Sequence, residues 1–165
     1  MSKKILVVDD ETSIREALGK VLQAEDYEVV TAENGQEAIE KIKSEKIDLL
    51  LLDLGLPVKD GWNTAIWLAQ VKPLLPFIII TGRWNQREQA EKMGADALMD
   101  KPLDVPHLLQ TVHELTDKPT KCLVQLAKQR HSFQYVPCDH ELFIAKLRER
   151  ATTPYRFPDW EKLTS

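Results

Sequence analysis

Five strand-like runs, each followed by a helical pattern, constrain this chain more than any other feature. They are Ile5–Val8, Glu28–Ala32, Ile47–Leu52, Phe77–Ile80 and Ala97–Met99. Short continuous apolar runs read as strands buried on both faces. Ser13 and Glu16 fit a capping box that opens the first helix. Its apolar stripe is Ile14, Ala17, Leu18, Val21 and Leu22. Asn34 and Glu37 cap a second helix, with Ala38, Ile39 and Ile42 inward. A third helix runs over 62–71 with Trp62, Ala65, Ile66 and Ala69 inward, and Pro73 and Pro76 end it. Asn85 and Glu88 cap a fourth helix that Gly94 stops, and Asp104 and Pro106 start a fifth. Strict alternation of strand and helix predicts an α/β fold. Its core is a doubly wound five-stranded parallel sheet, order 2-1-3-4-5, with helices on both faces.

The longest apolar runs are strand-sized, which excludes a membrane-spanning helix. Met1-Ser2-Lys3-Lys4 leads straight into a strand with no signal-peptide pattern, so a cytoplasmic location is expected. Residues 1–116 carry 13 Lys and Arg against 20 Asp and Glu, a charge of −7. Residues 117–165 carry 9 against 6, a charge of +3. The acidic part argues against non-specific nucleic-acid binding, so DNA is expected to be an unlikely partner.

Five residues fall at the C-terminal ends of the predicted strands: Asp9, Asp10, Asp53, Thr81 and Lys101. Ligands of open α/β sheets bind at that edge. Three carboxylates there repel one another unless a proton or a cation neutralises them. Mg²⁺ suits such a set, because it takes one or two carboxylates plus a phosphate oxygen and keeps several waters. A carboxylate such as Asp53 can act as a nucleophile toward phosphorus and form an acyl phosphate. Thr81 can donate to a phosphoryl oxygen, and Lys101 can pair with it as a point charge. Each residue alone also has a plain structural reading: a helix cap, a turn aspartate, a strand end, a surface lysine. The five together, each at the same sheet edge, favour the chemical reading. Lys101-Pro102 is a candidate cis bond.

These residues carry a resemblance. Ile5-Leu-Val-Val-Asp-Asp10, Leu51-Leu-Asp-Leu-Gly-Leu-Pro57 with Asp60-Gly61, Ile80-Thr81-Gly82, and Gly94-Ala-Asp96 through Lys101-Pro102 resemble the receiver domain of two-component response regulators. The resemblance covers residues 3 to 116. It implies a flavodoxin-like domain that accepts a phosphoryl group from a sensor histidine kinase or a phosphotransfer protein. By resemblance Asp53 is the phosphoacceptor. Asp9, Asp10, Asp53 and the backbone carbonyl of Gly55 hold Mg²⁺. Thr81 and Lys101 bind and sense the phosphoryl group. Gly55 and Arg83 stand at the positions that tune phosphoryl lifetime. Leu98 departs from the pattern, since the family usually has Tyr or Phe there. The family's output face is built from the fourth and fifth helices and the fifth strand. A homodimer or a protein target through that face and the tail is implied. Separate substrate turnover is not expected. A haloacid dehalogenase-type enzyme also uses Asp and Mg²⁺, but it wants an acid where Gly55 stands.

Residues 1–118 read as this domain and 119–165 as a C-terminal extension of unrecognised type. In the extension two short helices are expected, over 120–130 and 139–150, with an extended piece at Phe133–Val136 between them. Cys122, His131, Cys138 and His140 lack the close ligand pairs of a zinc site. Two alternatives stay open: a transcription regulator whose basic tail meets DNA, and a degenerate receiver that binds without being phosphorylated.

Overall fold

The computed structural model of the chain describes residues 2–56, 61–83, 85–117 and 134–136. The strands are β1 (Lys4–Val8), β2 (Glu28–Ala32), β3 (Leu49–Asp53), β4 (Phe77–Thr81), β5 (Ala97–Asp100) and β6 (Gln134–Val136). The helices are α1 (Thr12–Ala24), α2 (Gly35–Ser44), α3 (Gly61–Val71), α4 (Arg87–Lys92) and α5 (Val105–Asp117). All strand pairs are parallel, in the order β2-β1-β3-β4-β5-β6. The five-stranded core is the predicted one, and β6 extends it beyond β5. The extended piece expected over 133–136 is a sheet strand at Gln134–Val136, and Phe133 lies outside the described residues. Both predicted tail helices and all four candidate zinc ligands lie outside the described residues.

Side-chain alternation along the strands divides the core in two. Leu6, Val8, Leu50, Leu52, Ile79 and Leu98 pack with buried residues of α2, α3 and α4. Ile5, Val7, Leu49, Leu51, Ile78, Ile80 and Met99 pack with α1 and α5 on the other face. Leu49–Leu52 of β3 are wholly buried, and four such leucines contribute about 6–12 kcal/mol of gross hydrophobic stabilisation. Two aspartates close the opposite, N-terminal edge. Asp48 Oδ2 accepts from the Lys4 N–H at 2.8 Å, and Asp96 Oδ2 from the Phe77 N–H at 3.0 Å.

Helix starts were only partly as expected. Asn34 caps α2, accepting from the Glu37 N–H at 2.9 Å. Asp104 Oδ1 accepts from the His107 N–H at 3.1 Å at the start of α5. The capping box at Ser13 and Glu16 is corrected: Glu11 is the N-cap of α1, and Ser13 inside the helix donates to the Glu11 carboxylate. The β1–α1 turn is held by Asp9 and Arg15 instead, so the helix begins earlier than the motif suggests. Asn85 does not cap α4; it takes a left-handed backbone, φ 60°, and Gln86 precedes the helix. Asn tolerates that region better than most residues. Gly94, φ 82°, ends the segment as predicted.

Two apolar stripes also shift. In α3 the buried residues are Gly61, Thr64, Ala65 and Leu68, while Ile66 and Ala69 are exposed. The helix is apolar on most sides, so periodicity alone leaves its rotation open. In α1, Ala17 is exposed, and Gly19 is buried against Val29.

Gly61 fixes how α3 leaves the sheet. A Cβ there would lie 2.5 Å from the Asp53 carbonyl oxygen and 2.6 Å from Leu54 Cα. Both neighbours are backbone, so the strand end or the helix start would have to move. Gly61→Ala is expected to cost about 1–3 kcal/mol by overpacking, read as a lower urea midpoint at unchanged m-value. A wild-type midpoint would contradict the close approach.

Candidate functional site

The connection after β1 leads to α1 on one face, and that after β3 leads to α3 on the other. The crevice between these adjacent strands is the topological switch point, where open α/β sheets bind ligands. Asp9 immediately follows β1 and Asp53 ends β3.

Asp9 and Asp53 are buried, and Asp10 is exposed. One carboxylate oxygen from each lies within 4.8 Å of the other two. Each buried carboxylate is oriented by the chain itself. Asp9 Oδ1 accepts from the Glu11 N–H at 2.9 Å, and Asp53 Oδ1 accepts from the Gly55 N–H at 3.0 Å. Their other oxygens face one cation. Lys101 Nζ lies 3.1 Å from Asp9 Oδ2 and 3.3 Å from Asp53 Oδ2. Lys101 arrives there across 48 residues of sequence from Asp53, because β5 lies two strands from β3. The Lys101 N–H donates to the Thr81 carbonyl at 2.8 Å, which ties the ends of β4 and β5 together. The Lys101-Pro102 bond is cis, as the sequence suggested.

The electrostatics show an incomplete balance. Burial pushes the Asp9 carboxyl up; Lys101 pulls it down and Asp53 pushes it up again, leaving it raised. For Lys101, burial acts to lower the ammonium's pKa, but the charges and hydrogen bonds of Asp53 and Asp9 together outweigh it and leave it raised. One ammonium thus holds two buried carboxylates with a third beside them. The three acids form a group able to hold a metal ion. All-oxygen, carboxylate-rich donors suit a hard divalent cation, and exposed Asp10 leaves the solvent side open for retained waters.

Thr81 is buried at the end of β4, one residue beyond the register partner of Asp53. Its Oγ1 accepts from the Arg83 N–H at 2.9 Å, which leaves the hydroxyl hydrogen to donate. Arg83 itself is exposed. Gly55 borders the phosphoacceptor candidate: a Cβ there would sit 3.4 Å from Asp53 Oδ2. Leu98 is buried, packed with the α2–α3–α4 side of the core. Asp60 and Trp84 lie outside the described residues.

Arg15 was not singled out in the sequence. Its Nη1 donates to the Asp9 carbonyl at 2.6 Å and its Nη2 to Thr12 Oγ1 at 3.0 Å. It braces the turn that carries Asp9 and Asp10. Its position one helical turn along α1 gave no signal, because a partly exposed arginine is ordinarily a solvated one.

A doubly wound sheet with an acidic, lysine-bridged crevice at its switch point defines a flavodoxin-like domain. Comparison with known proteins is more specific. The model of the response regulator receiver domain matches residues 5–113, and the chain belongs to that family. The alkaline phosphatase synthesis transcriptional regulatory protein PhoP of Bacillus subtilis is 41% identical over 104 residues, covering 62% of this chain and 43% of that protein. The response regulator MprA of Mycobacterium ulcerans is 36% identical over 117 residues, covering 70% and 50%. The chain therefore spans about half the length of these relatives. Among solved structures, a CheY-like receiver domain protein from Methanospirillum hungatei aligns with a TM-score of 0.68 at 32% identity, covering 71% of this chain and 95% of that one. The response regulator TrrA of Thermotoga maritima, in complex with Mg²⁺-BeF, aligns at 0.64 with 38% identity, covering 68% and 98%. The chain thus carries a receiver domain of the two-component signalling type. The expectation that DNA is an unlikely partner is not borne out, since PhoP is by name a transcriptional regulator. No helix among the described residues is long and apolar enough to cross a membrane.

The raised Asp9 carboxyl has a sign. Its folded pKa lies above the unfolded one, so the folded chain is favoured at low pH and loses stability as pH rises through that window. At neutral pH the ionised group is a net cost. Asp9→Asn is expected to raise the melting temperature at pH 7 by a few degrees, about 2–4 °C per kcal/mol for a chain of this length. Near pH 3 the gain should vanish. An equal gain at both pH values would place its cause outside Asp9 ionisation.

Proposed function

We propose that this chain is a phosphoacceptor response regulator, phosphorylated on Asp53 with Mg²⁺ as cofactor. The observation that carries the proposal is the convergence of Asp9, Asp10 and Asp53 within 4.8 Å, beside a lysine bonded to two of them. Asp9, Asp10, Asp53 and the Gly55 carbonyl would hold the cation, which when bound neutralises charge on the transferring group. An Asp53 carboxylate oxygen attacks phosphorus. A P–O bond forms, the P–N bond of a donor phosphohistidine breaks, and its electron pair returns to the imidazole. The Gly55 N–H fixes the rotation of the attacking carboxylate. Lys101, already bridging Asp9 and Asp53, pairs with the arriving phosphoryl oxygens, and the Thr81 hydroxyl donates to another.

The donor is a sensor histidine kinase or a phosphotransfer protein, in a bacterial-type pathway in the cytoplasm. Signal lifetime is set by Gly55, which leaves room for an attacking water, and by Arg83 at the rim. The chain turns over no separate substrate, so its output is a change of protein contacts. Residues 1–118 form the receiver and 119–165 a C-terminal extension of unrecognised type, which lends β6 to the receiver's sheet. A DNA-directed output is the second reading, favoured by the names of the relatives. It predicts a sequence-specific gel shift that weakens steeply with salt, and no shift at low salt would exclude it.

With acetyl phosphate, wild type is expected to gain one phosphoryl group by intact mass only when Mg²⁺ is present. Asp53→Asn should gain none. Asp10→Asn should weaken Mg²⁺ binding by about tenfold or more, the loss of a charged oxygen ligand. A phosphoryl adduct on Asp53→Asn, or an adduct independent of Mg²⁺, would refute the assignment.

A further inference from the structure

The peptide bond between Asp9 and Asp10 lies within the acidic site, and a side chain six residues beyond Asp9 holds it. Asp9 is fixed at each of its other polar atoms. Its N–H donates to the Ala32 carbonyl at 3.2 Å. Its Oδ1 accepts from the Glu11 N–H, and its Oδ2 from the Lys101 ammonium. Asp10 is different. It is exposed, and among the described residues no hydrogen bond or ion pair holds its carboxylate. Where that carboxylate stands is therefore set by the backbone that carries it. A peptide unit is planar, so the direction of the Asp9 carbonyl fixes the direction in which the chain leaves toward Asp10 Cα.

The Asp9 carbonyl accepts from Arg15 Nη1 at 2.6 Å, a charge-assisted bond. Arg15 Nη2 donates to Thr12 Oγ1 at 3.0 Å, so the guanidinium is held at both ends of its fork. The Arg15 N–H donates to the Glu11 carbonyl at 3.1 Å, which seats the residue in the first turn of α1. Its charge also has an acidic neighbour outside the site. The Glu37 carboxyl of α2 is held low chiefly by Lys41 and the Glu33 N–H, with a smaller pull from Arg15.

We propose, taking the crevice as a Mg²⁺ site, that Arg15 is a positioning residue for it. Arg15 acts through the backbone rather than through a ligand oxygen. By holding the Asp9 carbonyl it sets the place of the Asp10 carboxylate, and so strengthens Mg²⁺ binding. Two effects of this residue have opposite signs. As a nearby positive charge it repels a divalent cation, so on charge alone its removal would tighten binding. As a brace it orients a ligand, and groups of that kind are worth about 10–100-fold in metal affinity.

Isothermal calorimetry of Mg²⁺ binding to the full chain reads the sign. Arg15→Ala keeps a strong helix former in α1. Arg15→Lys keeps the charge and one donor for the Asp9 carbonyl but loses the second prong. Arg15→Ala should bind Mg²⁺ about tenfold more weakly than wild type, with Arg15→Lys between the two. Without Mg²⁺, amide exchange in Arg15→Ala should quicken at Glu11, whose N–H bonds Asp9, and stay unchanged at Leu50–Leu52 of β3. With acetyl phosphate, the Mg²⁺ concentration for half-maximal phosphorylation should rise, while the rate at saturating Mg²⁺ stays that of wild type. Equal or tighter Mg²⁺ binding by Arg15→Ala, beside a wild type that binds, would overturn the positioning role and leave the Mg²⁺ site standing. Faster exchange spread evenly over the sheet would overturn it too, by making Arg15 a general stabiliser. A wild type that binds no Mg²⁺ would remove the site itself and the proposal with it.

Discussion

The structure depends on a repulsion. Three carboxylates, two of them buried, are held together at the C-terminal edge of the sheet with one lysine bridging the buried pair. In water these groups would separate. Here the two buried ones are fixed by backbone they cannot leave: Asp9 by the start of α1, Asp53 by the end of β3 and the Gly55 N–H. The Asp9 carboxyl is raised first by its burial and then by the charge of Asp53, against the pull of Lys101. A cation with oxygen ligands would relieve the repulsion, and an incoming anion would then meet a cation and an ammonium rather than excess negative charge.

The fold can hold this arrangement because β1 and β3 lie in the centre of the core. Their apolar residues are covered on both faces, and the gross gain from β3 alone exceeds the several kcal/mol that desolvating a paired carboxylate costs. Small details then set the geometry of the crevice. Gly61 lets α3 start against the Asp53 carbonyl. Arg15 braces the turn below Asp9 and Asp10. The bond from the Lys101 N–H to the Thr81 carbonyl makes the ends of β4 and β5 one unit, so a pull on the lysine or on the threonine is felt by both strands.

Much of this was legible in the sequence, for a physical reason. Strands buried on both faces leave continuous apolar runs, and a parallel sheet puts every strand's C-terminal end on one side. Asp9, Asp53, Thr81 and Lys101 could therefore be placed together without coordinates. What stayed hidden depended on competition between local partners. Ser13 fits a capping box, but Asp9 and Arg15 already organise that turn. The rotation of α3 was ambiguous because Trp62, Ile66 and Trp67 make most of its sides apolar. The anchoring of β6 by Gln134 was out of reach altogether: its partners Asp96, Thr111 and Glu114 are close only after α5 and β5 have packed.

Leu98 stands where the resemblance to receiver domains leads one to expect Tyr or Phe. It is buried in the core, and its neighbour along the sheet is Tyr135 of β6. The proposed destination of the phosphoryl group is a carboxylate oxygen of Asp53. Borohydride reduction of the phosphorylated chain, followed by peptide mapping, tests it directly. An acyl phosphate on aspartate is reduced to homoserine, and the account predicts homoserine at position 53 and at no other aspartate. Homoserine at Asp9, Asp10 or another carboxylate, with position 53 unchanged, would contradict it.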